Sequence, residues 1–159
     1  GTQVGVGTVL VLKLVEALRR TNVDFDAARA YAKAYDQAAW EENIRMAYGP
    51  AAQGVIDMEA TAQKNEVTAH LRRINAMEKN WAEITALLEA LPASETVADL
   101  LKSLDASYLP SQIEVDEEML RNTFRYCKEV RARYTILQMV WDLGLLEELS
   151  DQVIEELNR

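Results

Sequence analysis

Gly1-Thr2-Gln3-Val4-Gly5-Val6-Gly7-Thr8 runs straight into Val9-Leu10-Val11-Leu12-Lys13-Leu14-Val15, and the reading of this stretch decides the fold. Three glycines in seven residues cost backbone entropy, so they need a reason in packing or in function. One candidate is a phosphate-cradling turn at the head of a helix. The dinucleotide fingerprint fails here, because Leu10 stands where its third glycine belongs and no strand precedes it. A Walker-type loop fails as well, since no Gly-Lys-Ser/Thr follows. What remains is small residues that let a helix pack closely. They open a helix that is apolar all round except for Lys13, which predicts burial.

The rest of the chain is helical by the same test. The first helix is predicted to run to about Arg20, where two arginines suit the negative end of the helix dipole. Asp24 or Asp26 caps the next, with Phe25, Ala28, Ala32 and Tyr35 on its inner face. Trp40, Ile44 and Tyr48 mark a third that ends at Gly49-Pro50, and Val55 and Met58 a short fourth. From Glu66 to Leu91 the spacing of Val67, Leu71, Ile74, Met77, Trp81, Ile84, Leu88 and Leu91 predicts one long amphipathic helix. Pro92 stops it, and Ser94 is placed to cap a helix carrying Val97, Leu100, Leu101 and Leu104. After a loop over 105–115, Asp116-Glu117-Glu118 opens a last long helix. That helix carries Leu120, Phe124, Cys127, Val130, Tyr134, Leu137 and Trp141, and it ends at Gly144. Leu146, Leu149, Val153 and Leu157 drive a terminal helix. No strand, repeat or linker is evident, so 1–159 is expected to be a single all-α domain, a multi-helix bundle.

Composition narrows the functions. A net charge of −9 argues against nucleic acid as a partner, because phosphate backbones call for a basic surface. No run approaches the roughly 18 apolar residues that span a bilayer, and no secretory signal is visible, so no membrane partner is expected. A lone cysteine, Cys127, excludes an internal disulfide framework and fits a cytoplasmic chain. One histidine leaves little room for a histidine metal site or a catalytic dyad. His70 lies beside the stripe residue Leu71, about 100° round the helix, and reads as a surface histidine. Glu41-Glu42, Glu117-Glu118 and Glu147-Glu148 diverge on their helices and make no carboxylate pair. Trp40, Trp81 and Trp141 fall at stripe positions, so core packing is expected of each.

Arg131-Ala132-Arg133-Tyr134-Thr135 stands out. On a continuous helix Arg131 lies roughly 70° from the stripe and Arg133 roughly 95° away on the other flank. Arg131 is thus partly directed inward, toward either an ion pair with one of the chain's carboxylates or an anionic substrate across a cleft. The ion-paired framework is the expectation, with Arg131 and Arg133 as substrate-binding candidates.

Two stretches, Gly1 to Thr8 and Arg131-Ala132-Arg133-Tyr134-Thr135-Ile136-Leu137 followed by Leu143-Gly144-Leu145-Leu146, together resemble the C-terminal helical half of the sn-glycerol-1-phosphate dehydrogenases. These belong to the iron-containing alcohol dehydrogenase and dehydroquinate synthase-like superfamily. Trp40 to Gly49 and Pro110 to Asp116 lie between them at compatible places, so the resemblance covers nearly the whole chain. It implies a two-domain parent, in which an N-terminal α/β domain binds NAD(P) and the helical domain closes over a cleft. By the same resemblance a divalent metal (zinc, nickel or iron), held by an aspartate and two histidines of the parent, would polarise the substrate oxygen for hydride exchange with the nicotinamide. The reaction implied interconverts dihydroxyacetone phosphate and sn-glycerol 1-phosphate.

In the family the last metal histidine immediately precedes the glycine that matches Gly1, and His70 matches no ligand position. No catalytic, metal or cofactor residue therefore carries over, and no cofactor is expected for this chain alone. The expectation is a domain that is inactive by itself. Its expected partner is the parent's nucleotide-binding domain, and the apolar surface that domain would otherwise cover favours a homo-oligomer. A glycerol or polyol dehydrogenase without phosphate, or a non-catalytic helical interaction module, are the alternatives.

Overall fold

A computed structural model describes residues 1–158 and is all-α, with no strand among them. Its helices are α1 (Thr2–Arg19), α2 (Phe25–Lys33), α3 (Gln37–Tyr48), α4 (Ala52–Ala62), α5 (Val67–Lys79), α6 (Trp81–Glu89), α7 (Ser94–Ser103), α8 (Glu117–Tyr126), α9 (Ile136–Asp142) and α10 (Leu146–Leu157). Among the described residues no helix is long and apolar enough to cross a membrane. The chain gathers into two compact units. Unit 1 comprises 1–22, 81–121 and 147–159, and unit 2 comprises 23–80 and 122–146.

In unit 1 the glycine-rich start is helical from its second residue, and α1 buries Val6, Val9, Leu10, Leu12, Leu14, Val15, Ala17 and Leu18. Burial on nearly every side matches the predicted pattern, and α1 packs on α6 and α7. Gly5 has a packing reason: a Cβ there would meet the Leu101 side chain at 3.2 Å and the Ser107 carbonyl at 3.4 Å. Ser94 does not cap α7 as expected but is its first residue. Glu16 of α1 supplies the cap instead, its carboxylate accepting from the Ser94 N–H at 2.6 Å and from Oγ at 2.9 Å. A carboxylate at a helix N-terminus satisfies an orphan donor and also complements the dipole.

In unit 2 Asp24 caps α2 as expected, its carboxylate accepting from the Asp26 and Ala27 N–H groups. Asp36 does the same for α3. α3 packs on α4 around Trp40, Ile44, Ala52, Val55 and Ile56, with Tyr35, Tyr48 and Tyr126 at the edge. α5 packs on α2 and α9.

Two predicted long helices are broken. The 66–91 helix ends at Asn80, whose Nδ2 donates to the Ala76 carbonyl at 2.8 Å, and α6 restarts at Trp81. A side chain that competes for a helix carbonyl ends the ladder there. The break coincides with the boundary between units, so one periodic stripe serves two separate cores. The last long helix stops at Tyr126 and tightens into a 3₁₀ turn at Cys127–Glu129. It leaves helix over 130–135 and restarts as α9. Gly144, at φ +72°, takes the left-handed position expected after it. Of the three tryptophans only Trp40 is fully in a core, while Trp81 and Trp141 are half-buried.

Candidate functional site

The break at 127–135 decides where the chemistry sits. With no helix there, the 100° rotation that turned Arg131 inward does not apply. Arg131 and Arg133 are both exposed, and among the described residues neither guanidinium has an ion pair or hydrogen bond. The expected framework role is thus corrected: the buried ions are Lys128, Glu129, Asp142 and their partners.

Glu129 is 3 % exposed, and its carboxylate is the centre of a ring of donors. Trp40 Nε1 reaches it at 3.2 Å from α3, and Asn65 Nδ2 lies 3.1 Å from each oxygen. Lys64 Nζ lies at 2.9 Å, and Lys128 Nζ also bonds to it directly. Burial pushes the Glu129 carboxyl up, but the two ammoniums outweigh it and hold the group below the usual range. Lys128 is itself buried, with Nζ 4.0 Å from the centroid of the Trp141 ring. Burial pulls its ammonium below the ordinary lysine value, against the pull of Glu129. Glu59, beside them on α4, accepts from the Asn65 backbone N–H at 2.6 Å, and burial pushes its carboxyl up.

A second ion pair closes the other end. Asp142, fully buried, takes Arg73 Nε at 2.6 Å and Nη2 at 2.7 Å, a bidentate fork, together with Gln138 Nε2 at 3.2 Å. The Tyr134 hydroxyl donates to the same carboxylate at 3.2 Å.

His70 is not a surface residue. It is fully buried, its Nε2 lies 2.9 Å from the Asp142 carbonyl oxygen, and its ring stacks on Trp141 at 4.5 Å. Burial lowers its pKa. Its position off the stripe misled because α9 approaches α5 on the flank where His70 stands, not along the apolar stripe alone.

The network binds the 128–135 segment at both ends. Lys64 Nζ donates to the Lys128 carbonyl at 2.6 Å and lies 3.5 Å from that of Arg131, while Tyr134 is tied to Asp142. Sequence reasoning missed Lys64, Asn65, Lys128, Glu129, Gln138 and Asp142. A signal for the last two was present: Thr135-Ile136-Leu137-Gln138 has the spacing of a helix start, and Thr135 Oγ1 does accept from the Gln138 N–H.

Unit 1 holds a cleft of about 570 Å³ lined by Lys13, Glu16, Ser94, Glu95, Asp99 and Tyr108, among others. Its carboxylates outnumber its one ammonium, which disfavours an anionic ligand. Among the described residues no group of three His, Cys, Asp or Glu is placed to hold a metal ion, and no chemical step is assigned to one. No family model, curated protein or solved structure matches this chain.

Proposed function

We propose that these residues form the helical, substrate-side domain of a metal- and nicotinamide-dependent sn-glycerol-1-phosphate dehydrogenase, with the helical fold of the dehydroquinate synthase-like superfamily. On this reading the cofactor and the metal belong to residues outside the chain, and α1 contributes a wall of the substrate cleft.

The observation that carries the proposal is Gly7. It lies well inside α1, where glycine costs about 1 kcal/mol relative to alanine. Nothing lies within 4 Å of where its Cβ would stand, so packing within the chain does not require it. Gly5, two residues earlier, is accounted for by Leu101; Gly7 is not. A close approach from outside the chain accounts for it, and the glycine-rich opening is the stretch that the resemblance sets beside the reacting centre. Val4 at 70 %, Leu100 at 60 % and Leu104 at 68 % exposed, on α1, α7 and just beyond, add apolar surface of the kind a docked second domain covers.

The test is hydride transfer by the full-length gene product, supplied with zinc, nickel or iron and either nicotinamide cofactor. Reduction of dihydroxyacetone phosphate is expected, with the 159-residue chain alone inert. Turnover of unphosphorylated glycerol in preference would move the parent to the polyol branch. Absence of hydride transfer to either substrate would sink the enzymatic reading and leave a helical interaction module. In the active enzyme Gly7→Leu is expected to lower kcat/KM at least tenfold with the helical spectrum intact.

A further inference from the structure

Lys13 is the one charged residue in the apolar run from Val9 to Val15 of α1. It is half-buried, and its side chain lines the unit 1 cleft of about 570 Å³. Four carboxylates line the same cleft, and two of them are committed. Glu16 gives one oxygen to the Ser94 N–H and the other to its hydroxyl, and Glu156 pairs with Arg20 at 2.9 Å. Glu95 and Asp99, one turn apart on α7, are exposed. Among the described residues neither they nor Lys13 makes a side-chain ion pair or hydrogen bond.

One cation and two anions therefore line a single cavity without meeting. A half-buried ammonium with no counterion costs free energy, and a ligand that brings the missing charges recovers it. Val9, Ala98, Leu109 and Leu157 give the same cleft an apolar lining. Its volume lies in the range of small-molecule sites, about 300–1,000 Å³. The surrounding field favours cations as well. Unit 1 has 15 carboxylates against six lysines and arginines, whereas unit 2 has 11 of each, so the whole net charge of −9 sits on unit 1.

We infer that the cleft binds a free dibasic α-amino acid, with its carboxylate on Lys13, its two cationic groups on Glu95 and Asp99, and its aliphatic stem on the apolar lining. One ammonium and two carboxylates of the protein then meet one carboxylate and two cations of the ligand, so every charge is paired. A diamine leaves Lys13 unpaired and adds repulsion, and a neutral amino acid leaves one carboxylate unused. The site does not rest on the dehydrogenase proposal. At 100° per residue Val9, Lys13 and Glu16 lie roughly 180–240° round α1 from Gly7, on the opposite side of the helix from the residue that carries that proposal.

The probe is L-lysine, titrated into the chain while backbone amide shifts are followed by NMR, with cadaverine and L-norleucine at matched ionic strength as parallel arms. L-lysine is expected to move the amides around Lys13, Glu95 and Asp99. Exposed ion pairs are worth about threefold each in affinity, so cadaverine, which lacks the carboxylate, and L-norleucine, which lacks the side-chain ammonium, should each bind at least that much more weakly. By the same measure Glu95→Gln with Asp99→Asn should weaken L-lysine binding about tenfold. Both side chains are exposed, so the fold is retained. Lys13→Met keeps the aliphatic stem and should weaken L-lysine by about three- to tenfold while leaving cadaverine no weaker, a split that a merely structural role would not produce. The inference is overturned if the double variant binds L-lysine within about twofold of the parent. Cadaverine or L-norleucine matching L-lysine, or shifts that map outside the cleft, overturn it equally. Equal weakening of L-lysine and cadaverine by Lys13→Met refutes the assignment of Lys13. Hydride transfer by the full-length gene product bears on none of these outcomes, so the two proposals fail separately.

Discussion

Glu129→Gln is the sharpest test of how unit 2 is held together. The substitution keeps the shape of the side chain and removes its charge. Lys128, whose side chain is 2 % exposed, and Lys64, at 13 %, both lose their counterion. Whichever oxygen becomes the amide nitrogen, the new amide also turns a donor toward Asn65 Nδ2, which now donates to both carboxylate oxygens. Removing one partner of a buried pair costs about 3–5 kcal/mol, against a total stability of about 5–15 kcal/mol for a typical domain. The variant is therefore expected to be marginal at pH 7. Lys128 limits the damage, because burial already holds its ammonium below the ordinary lysine value. Without Glu129 it sheds its proton more readily. A lysine whose folded pKa lies below its unfolded value destabilises most at low pH, and that loss shrinks as pH rises toward the unfolded value. Urea denaturation followed by circular dichroism and tryptophan fluorescence at pH 7 and pH 9 measures both effects. A loss under about 1 kcal/mol at pH 7 would refute the claim that this carboxylate compensates buried charge. So would a deficit that fails to shrink at pH 9.

Other outcomes follow from single positions. Gly144→Ala should destabilise by about 1–3 kcal/mol, because φ is +72° and the new Cβ would stand 3.0 Å from Cγ of Tyr31; a thermal shift of less than two degrees would contradict the strain. Gly7→Ala, with open space at its Cβ, should stabilise the isolated chain by about 0.5–1 kcal/mol, read as a rise in the urea midpoint. His70, with its pKa lowered by burial, contributes stability that is complete above the ordinary value of 6.5 and is lost as pH falls toward its folded value. Glu59, pushed up by burial, acts in the opposite sense, so the readout is the difference in pH slope between the parent and His70→Gln. Parallel slopes would show that His70 is not the titrating group.

Local chemistry was legible wherever an element answers to its own residues. The apolar run of α1, the Asp24 cap, the stop at Gly49 and the left-handed Gly144 each follow from side-chain size, capping geometry or backbone freedom within one turn. The two helices predicted too long share one cause. Apolar periodicity continued through Asn80 and through 127–135, and a stripe does not say whether one core or two will use it. The candidate site suffered most, because its geometry depended on a helix that does not form there.

The sequence by itself determined that this protein is all-α, where most helices begin and end, and that α1 is buried, since these depend on neighbours three or four residues apart. Only the tertiary structure decided which polar groups are inside. Glu129 is buried against Trp40, 89 residues earlier, and Asn65, 64 residues earlier, and Asp142 against Arg73, 69 residues earlier. A charge enters a core only where distant partners satisfy it, and no local pattern records which partners will arrive. The same partners fill the interior and leave Arg131 and Arg133 outside, facing solvent.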